Sequence, residues 1–265
     1  MKNVLIGFSV LLMGTIVSCK KGEDGPGLNE VVFSATGNIA TIKTKMDEFR
    51  LAMGTNLNVT VSGADPGGRR EISWDDIPSL QTNTNNFPAD FFASTDAALP
   101  DMRKSGFQLI DQLGTIGFRV DSSKFSQIDP SYSSQISAFS GIKTFANLND
   151  NVTEAEFKVP GTNNRAYVKG VGIVFVDVDD NTSTTVEFFN EFVSFGIYQV
   201  PAKTSGSNFS FLGVQFPDEE VLKVRIMSGN GKLAAGTFDI STGSSSNAKD
   251  IVVIDDVIYS EPKQF

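Results

Sequence analysis

With 265 residues and 40% hydrophobic content, the chain can bury one sizeable core, and it is acidic, with a formal net charge of −9. That balance, with no basic cluster, argues against nucleic acid and against electrostatic docking on anionic lipid. Histidine is absent, which excludes Ser-His-Asp and Cys-His catalysis, HExxH zinc sites and histidine-ligated transition metals.

Lys2 supplies a short positive segment, and an apolar run follows from Val4 to Val17. The run is too short for a stable membrane span and has the length of a signal-peptide core. It ends in Ile16-Val17-Ser18-Cys19, which resembles the bacterial lipobox. The resemblance implies removal of residues 1–18 as a signal peptide and lipidation of Cys19, which would make the membrane a partner through a lipid anchor. An ordinary secretory signal followed by a chance cysteine is the alternative. Cys19 is the only cysteine, so the exported chain has neither disulfide nor thiol chemistry. Residues 19–30 include Lys20-Lys21-Gly22-Glu23-Asp24-Gly25-Pro26-Gly27, lack apolar periodicity and read as a flexible tether. Cys-Lys-Lys with acidic residues close behind looks like lipoproteins of Bacteroidota, which implies the outer membrane or the cell surface.

Residues 31–62 are expected to form a helical extension packed on the main domain. Ile39, Ile42, Met46, Phe49 and Met53 recur at three- and four-residue steps, Asn38 can cap the start, and Gly54 can end the helix. From 63 to 265 the period is extended, and Arg70-Glu71-Ile72-Ser73-Trp74 alternates as a strand does. Ser79 to Asp101 reads as a long loop with a helical turn at Pro88–Phe92, and loops of that length are often functional. Further strands are predicted at Gly117–Val120, Glu156–Val159, Ala166–Val178, Thr185–Phe189, Ile197–Val200, Ser210–Phe216, Val221–Met227 and Ile251–Tyr259. Turn signals such as Pro160-Gly161-Thr162-Asn163-Asn164 and Ser228-Gly229-Asn230-Gly231 separate them. The pattern predicts a mainly β fold: a β-sandwich, jelly-roll or lectin-like, with one N-terminal amphipathic helix.

Three acidic segments could carry chemistry. The run Val171-Gly172-Ile173-Val174-Phe175-Val176 reads as an inner strand, and it leads into Asp177-Val178-Asp179-Asp180-Asn181. Asp177, Asp179, Asp180 and Asn181 offer the oxygen ligands that calcium requires, or form an Asx-rich turn with solvated charges. In Ile251-Val252-Val253-Ile254-Asp255-Asp256-Val257-Ile258-Tyr259, two carboxylates interrupt an apolar strand. The pleat is expected to send Asp255 and Asp256 to opposite faces, so that at least one leaves bulk water. A metal would compensate it, or else Arg69, Arg70 or Arg225. Trp74, the only tryptophan, lies between Glu71 and Asp75 and reads as core rather than a sugar-stacking platform.

Together GRREISWDDIP, GVGIVFVDVDD, SFLGVQF, VLKVRIMSGN and VVIDDVIYSEP resemble a family of exported bacterial β-sandwich proteins. Its pattern is close to GRREINWDGVP near the start and DDFIYGEP at the end. The likeness covers most of residues 31–262, including Asp47-Glu48-Phe49-Arg50, and departs at Ser73 and Asp76-Ile77. It brings no biochemical activity with it. More distantly, the first and last of these motifs are similar to jelly-roll domains of the galactose-binding and lectin kind. In some carbohydrate-binding modules of that shape, acidic residues on the first and last strands hold a structural calcium. That likeness implies Glu71, Asp75, Asp255 and Asp256 as ligands, by analogy of fold. The leading expectation is a non-catalytic binding or adhesion module, supported by calcium, for a glycan or another surface protein. The alternatives are a structural or assembly protein of the cell surface and a carboxylate-dependent glycosidase.

Overall fold

The computed structural model describes residues 28–110, 117–242 and 246–265. The predicted signal peptide, Cys19 and the tether up to Gly27 lie outside the described residues. In chain order the elements are β1 (Val31–Gly37), α1 (Ile39–Met53), β2 (Arg69–Ile72), β3 (Phe107–Ile110), β4 (Phe118–Asp121), β5 (Thr144–Asn147) and β6 (Val152–Lys158). There follow β7 (Arg165–Tyr167), β8 (Gly170–Val176), β9 (Thr185–Asn190), β10 (Val193–Gln199), β11 (Phe209–Gln215), β12 (Lys223–Met227), β13 (Val253–Ser260) and β14 (Lys263–Gln264).

Two antiparallel sheets pack face to face as a β-sandwich, and α1 is the one α-helix among the described residues. The first sheet runs β1-β11-β8-β13-β5-β4, with β2 also paired to β13. The second runs β10-β9-β12-β6-β7-β14, with β3 beside β6. Strand β8, apolar on both faces, is central: it pairs with β11 and β13 and is buried along its whole length. That double burial is why its sequence shows no alternation.

The first sheet is covered on both sides. Toward the second sheet lie Ile173, Phe175, Ile254, Val257 and Tyr259, packed with Phe107, Phe157, Phe188 and Phe216. On the opposite face, Ile42, Met46, Phe49 and Met53 of α1 pack with Phe125, Tyr132 and Phe139 over Val174, Val176, Phe211 and Ile258. Asn38 caps α1 by accepting from the Thr41 amide at 3.0 Å, and Gly54 terminates it. Phe49 seats the helix over Gly172 and Gly213, which are cross-strand partners. A Cβ at either glycine would come within 2.6 or 2.7 Å of the Phe49 ring, so the glycines permit the close approach.

The structure redraws several predicted boundaries. Residues 31–62 do not form a purely helical extension: β1 pairs with β11 over seven residues and is an edge of the first sheet. Its outer position leaves its burial irregular, so no alternation marked it. The predicted strand Ala166–Val178 is two strands in different sheets, β7 and β8. The Arg70–Trp74 strand stops at Ile72, and Trp74 opens a 3-10 turn with Asp75 and Asp76. This turn carries the Trp74 indole inward, where it stacks on Phe145 with centroids 4.5 Å apart. The 79–101 loop is also built inward. Phe87, Phe91 and Phe92 are buried against Trp74 and one another, so this loop fills the inter-sheet core.

Candidate functional site

The first and last acidic motifs are neighbours. Strand β2 lies antiparallel to β13, with Ile72 opposite Val257 and Glu71 opposite Ile258. Asp255 and Asp256 sit where the partner of β13 changes from β5 to β2, and the register with β8 slips there between Ile254 and Val257. This bulge overturns the expected opposite orientation of the two carboxyls. Ile254 and Val257 both face the inter-sheet core, and both aspartates turn to the other face. There Asp255 accepts from the Phe139 amide at 2.7 Å, and Ser140 Oγ reaches Asp255 at 3.2 Å and Asp256 at 2.8 Å. The two carboxyls also hydrogen-bond to each other. Burial, then the charge of Asp256, pushes Asp255 up to about 8. The pair therefore keeps a proton that separate aspartates would release.

Of the remaining members of this set, Glu71 lies on the same face: burial raises Asp256, and the nearby charge of Glu71 adds to that. Glu71 is gripped by Arg50 of α1 at 2.8 and 2.9 Å and by Arg69 at 2.8 Å. Burial alone would raise it, but these two guanidiniums outweigh burial and hold it below the usual range. Asp75 accepts from the Ile142 amide at 2.8 Å, while Lys143 donates to the Asp75 and Ile77 carbonyls at 2.9 and 2.7 Å. Trp74 Nε1 donates to the Asp255 carbonyl at 2.7 Å. These contacts hold segment 139–143 against β2 and β13. Arg70 pairs instead with Glu261, at 2.8 and 2.9 Å in a buried position. Arg225 lies on the other sheet with Glu154 and Glu187. Arg50 and Glu261, which complete these pairs, went unmarked as site residues, although both lie inside the motif runs that carry the family likeness.

The second acidic centre lies at the end of β8. Asp177 adopts φ +71°, a left-handed conformation that Asp tolerates better than most residues. The turn resets the alternation, so Val178 rather than Asp177 enters the inter-sheet core. Asp177 and Asp179 share one ammonium: Lys203 Nζ contacts Asp177 and lies 2.9 Å from Asp179. Asp239 comes from a distant loop, and one carboxylate oxygen from each of Asp177, Asp179 and Asp239 lies within 4.8 Å of the others. Among the described residues this is the one cluster of three acidic groups so arranged. Asp250 stands behind it, accepting from the Asp179 and Asp180 amides at 3.1 and 3.2 Å and from Ser183. Burial pushes Asp177 up to about 7 and Asp250 up to about 6, and it raises Asp239 as well. Burial works to lower Lys203, but its bonds to Asp177 and Asp179 prevail and raise it. Asp180 and Asn181 do not join this cluster. Asp180 caps its own turn by accepting from Thr182 N and Oγ1, and Asn181 is exposed.

No protein-family model, curated protein or solved structure matches the chain.

A third feature is the solvent face of the second sheet. Val186, Phe188, Val224 and Ile226 point into the core, so Glu187, Phe189, Lys223 and Arg225 point out. Arg225 bridges Glu154 and Glu187 across three strands at 2.7 and 3.3 Å. The Phe189 ring lies beside the Lys223 ammonium at 4.5 Å and the Arg225 guanidinium at 5.2 Å. At the neighbouring sheet edge, the β9–β10 hairpin shows Phe192, 91% exposed, together with Val193 and Ile197. Exposed apolar groups gathered in this way mark an interaction surface more often than an isolated exposed side chain does.

Proposed function

We propose that this chain is a lipid-anchored extracytoplasmic β-sandwich that acts as a non-catalytic binding module, with glycans as its ligand class. The observation that carries the reading is the outer face of β9, β10 and β12. It places Phe189 and Ile197 among Lys223, Arg225, Glu187 and Glu154, with Phe192 exposed in the adjoining hairpin. A sugar ring offers apolar C–H faces to aromatic side chains and hydroxyls to charged ones. Charges of both signs set side by side suit such a neutral ligand better than a polyelectrolyte.

Two arguments support the remaining parts. A glycosidase needs two carboxyls flanking an open cleft. Here the Asp255–Asp256 pair lies under Phe139 and Ser140, and Glu154 and Glu187 are engaged by Arg225. The anchor rests on the lipobox-like Ile16-Val17-Ser18-Cys19, with Cys19 carrying the lipid.

Binding of the full-length chain to a glycan array tests the reading. Retention is expected on a restricted set of glycans and should fall at least tenfold in the Phe189→Ala/Arg225→Ala double variant. Retention on none would favour a structural protein of the cell surface. Release of reducing sugar would establish a glycosidase instead.

A further inference from the structure

We infer that Asp177, Asp179 and Asp239 form a binding site for a divalent cation of the calcium type, in which the Lys203 ammonium competes with the ion. This inference does not depend on what the outer sheet face binds. The first support is geometric. Calcium takes oxygen ligands at about 2.3–2.6 Å, so two ligands of one ion lie no more than about 5 Å apart. Oxygens from all three aspartates fall within 4.8 Å of one another and can reach a common ion.

The second support is independent of the clustering. The Asp177 side chain is 1% exposed, and Lys203 engages only its Oδ1. Its Oδ2 is buried and has no hydrogen-bond partner, whereas the Asp179 carboxyl also hydrogen-bonds to that of Asp239. Buried carboxylate oxygens are almost always satisfied, so the one that Asp177 leaves over, 1% exposed and inside the cluster, points to a ligand. Solvated turn aspartates would have water at both oxygens.

Charge balance points the same way. Asp177 and Asp179 share one ammonium, and a lysine brings a single positive charge. Oxygen-only ligands select a hard cation over zinc or copper. Asp250 is a positioning residue, because it holds the backbone of Asp179 and Asp180 through their amides. Lys203 is anchored near the site by its own backbone, which donates to the Val178 carbonyl at 2.7 Å. Its side chain is 18% exposed and can swing outward when an ion enters.

Isothermal titration of the full-length chain in detergent with calcium chloride, after chelation and dialysis, tests the site. One calcium per chain is expected, with a dissociation constant of about 10⁻⁴–10⁻³ M, the range of extracellular calcium modules. Asp179→Asn should weaken binding at least tenfold, and so should Asp239→Asn. Lys203→Met should tighten it at least tenfold, since the competing charge is gone. Because a substitution could unfold the domain, each variant is read beside its circular dichroism spectrum, and the tightening in Lys203→Met cannot arise from unfolding. No heat of binding in either the native chain or Lys203→Met at 10 mM calcium (about ten times the weakest expected constant) would overturn the site. So would calcium binding that Asp179→Asn and Asp239→Asn leave unchanged, and so would magnesium binding more tightly than calcium.

Discussion

The acidic centres on β13 and at the end of β8 use the same residue type in the same sheet, yet reach neutrality by different routes. At Asp255–Asp256 a bulge brings two carboxyls side by side, and the fold answers with an amide, a serine hydroxyl and a retained proton. Nearby Glu71 is met by two arginines from α1 and β2. Around Asp177 the fold supplies one lysine for two carboxylates and leaves the buried Oδ2 of Asp177 unpartnered. The difference shows that clustered carboxylates carry little functional information until their partners are counted. A satisfied cluster fixes a loop, whereas an under-compensated one has capacity for a ligand.

The largest expected effect belongs to the structural centre. Arg70→Ala should destabilise by about 3–5 kcal/mol, because it strands Glu261 without its guanidinium in a buried position. Urea unfolding measures this, and calcium should not restore the loss. A loss below 1 kcal/mol would show that water reaches Glu261.

A pH series separates the centres at intermediate magnitude. The folded chain holds the Asp255 proton up to about pH 8, while the unfolded chain releases it near pH 4. Between those values the folded state binds more protons, so this contribution is full below pH 4 and is lost as pH rises toward 8. Asp177 and Asp250, raised to about 7 and about 6, act in the same direction at lower pH. Asp255→Asn should therefore abolish the decline between about pH 7 and 8 and lessen it by one proton's slope at lower pH, a few kcal/mol in order of magnitude overall, leaving the part due to Asp177 and Asp250. An unchanged slope between pH 7 and 8 would remove the shared proton.

The smallest effect is expected at Glu71→Gln. Its arginine pairs are about one-fifth exposed, so the loss should be about 1 kcal/mol and should shrink further at high salt. A larger, salt-independent loss would mean that Glu71 carries more of the β2–β13 junction than its exposure indicates.

Local signals proved legible in the sequence, and long-range ones did not. Asn38, Gly54 and the apolar stripe of α1 could be read because capping and periodicity act within a few residues. The meeting of Asp177 with Asp179 follows from their two-residue spacing. Asp239 and Lys203 could not be added, because each arrives on a loop with no periodicity to fix its direction. The adjacency of β2 and β13 was expected from the motif likeness, but the bulge was not. Its signal was present all the same: two adjacent acids in an apolar strand are hard to bury on opposite faces. The 79–101 segment reads as a long, often functional loop from its Asn, Thr and Pro content, whereas Phe87, Phe91 and Phe92 give it a core role.

The division between the two acidic centres is tested most directly by anomalous diffraction from a crystal grown in calcium and soaked in terbium, a calcium mimic with a strong anomalous signal. The predicted result is one peak among the carboxylates of Asp177, Asp179 and Asp239, with Lys203 turned aside and no peak between Glu71 and Asp256. A peak beside Asp255 and Asp256, or a Lys203 ammonium still seated between Asp177 and Asp179 with no ion bound, would contradict it.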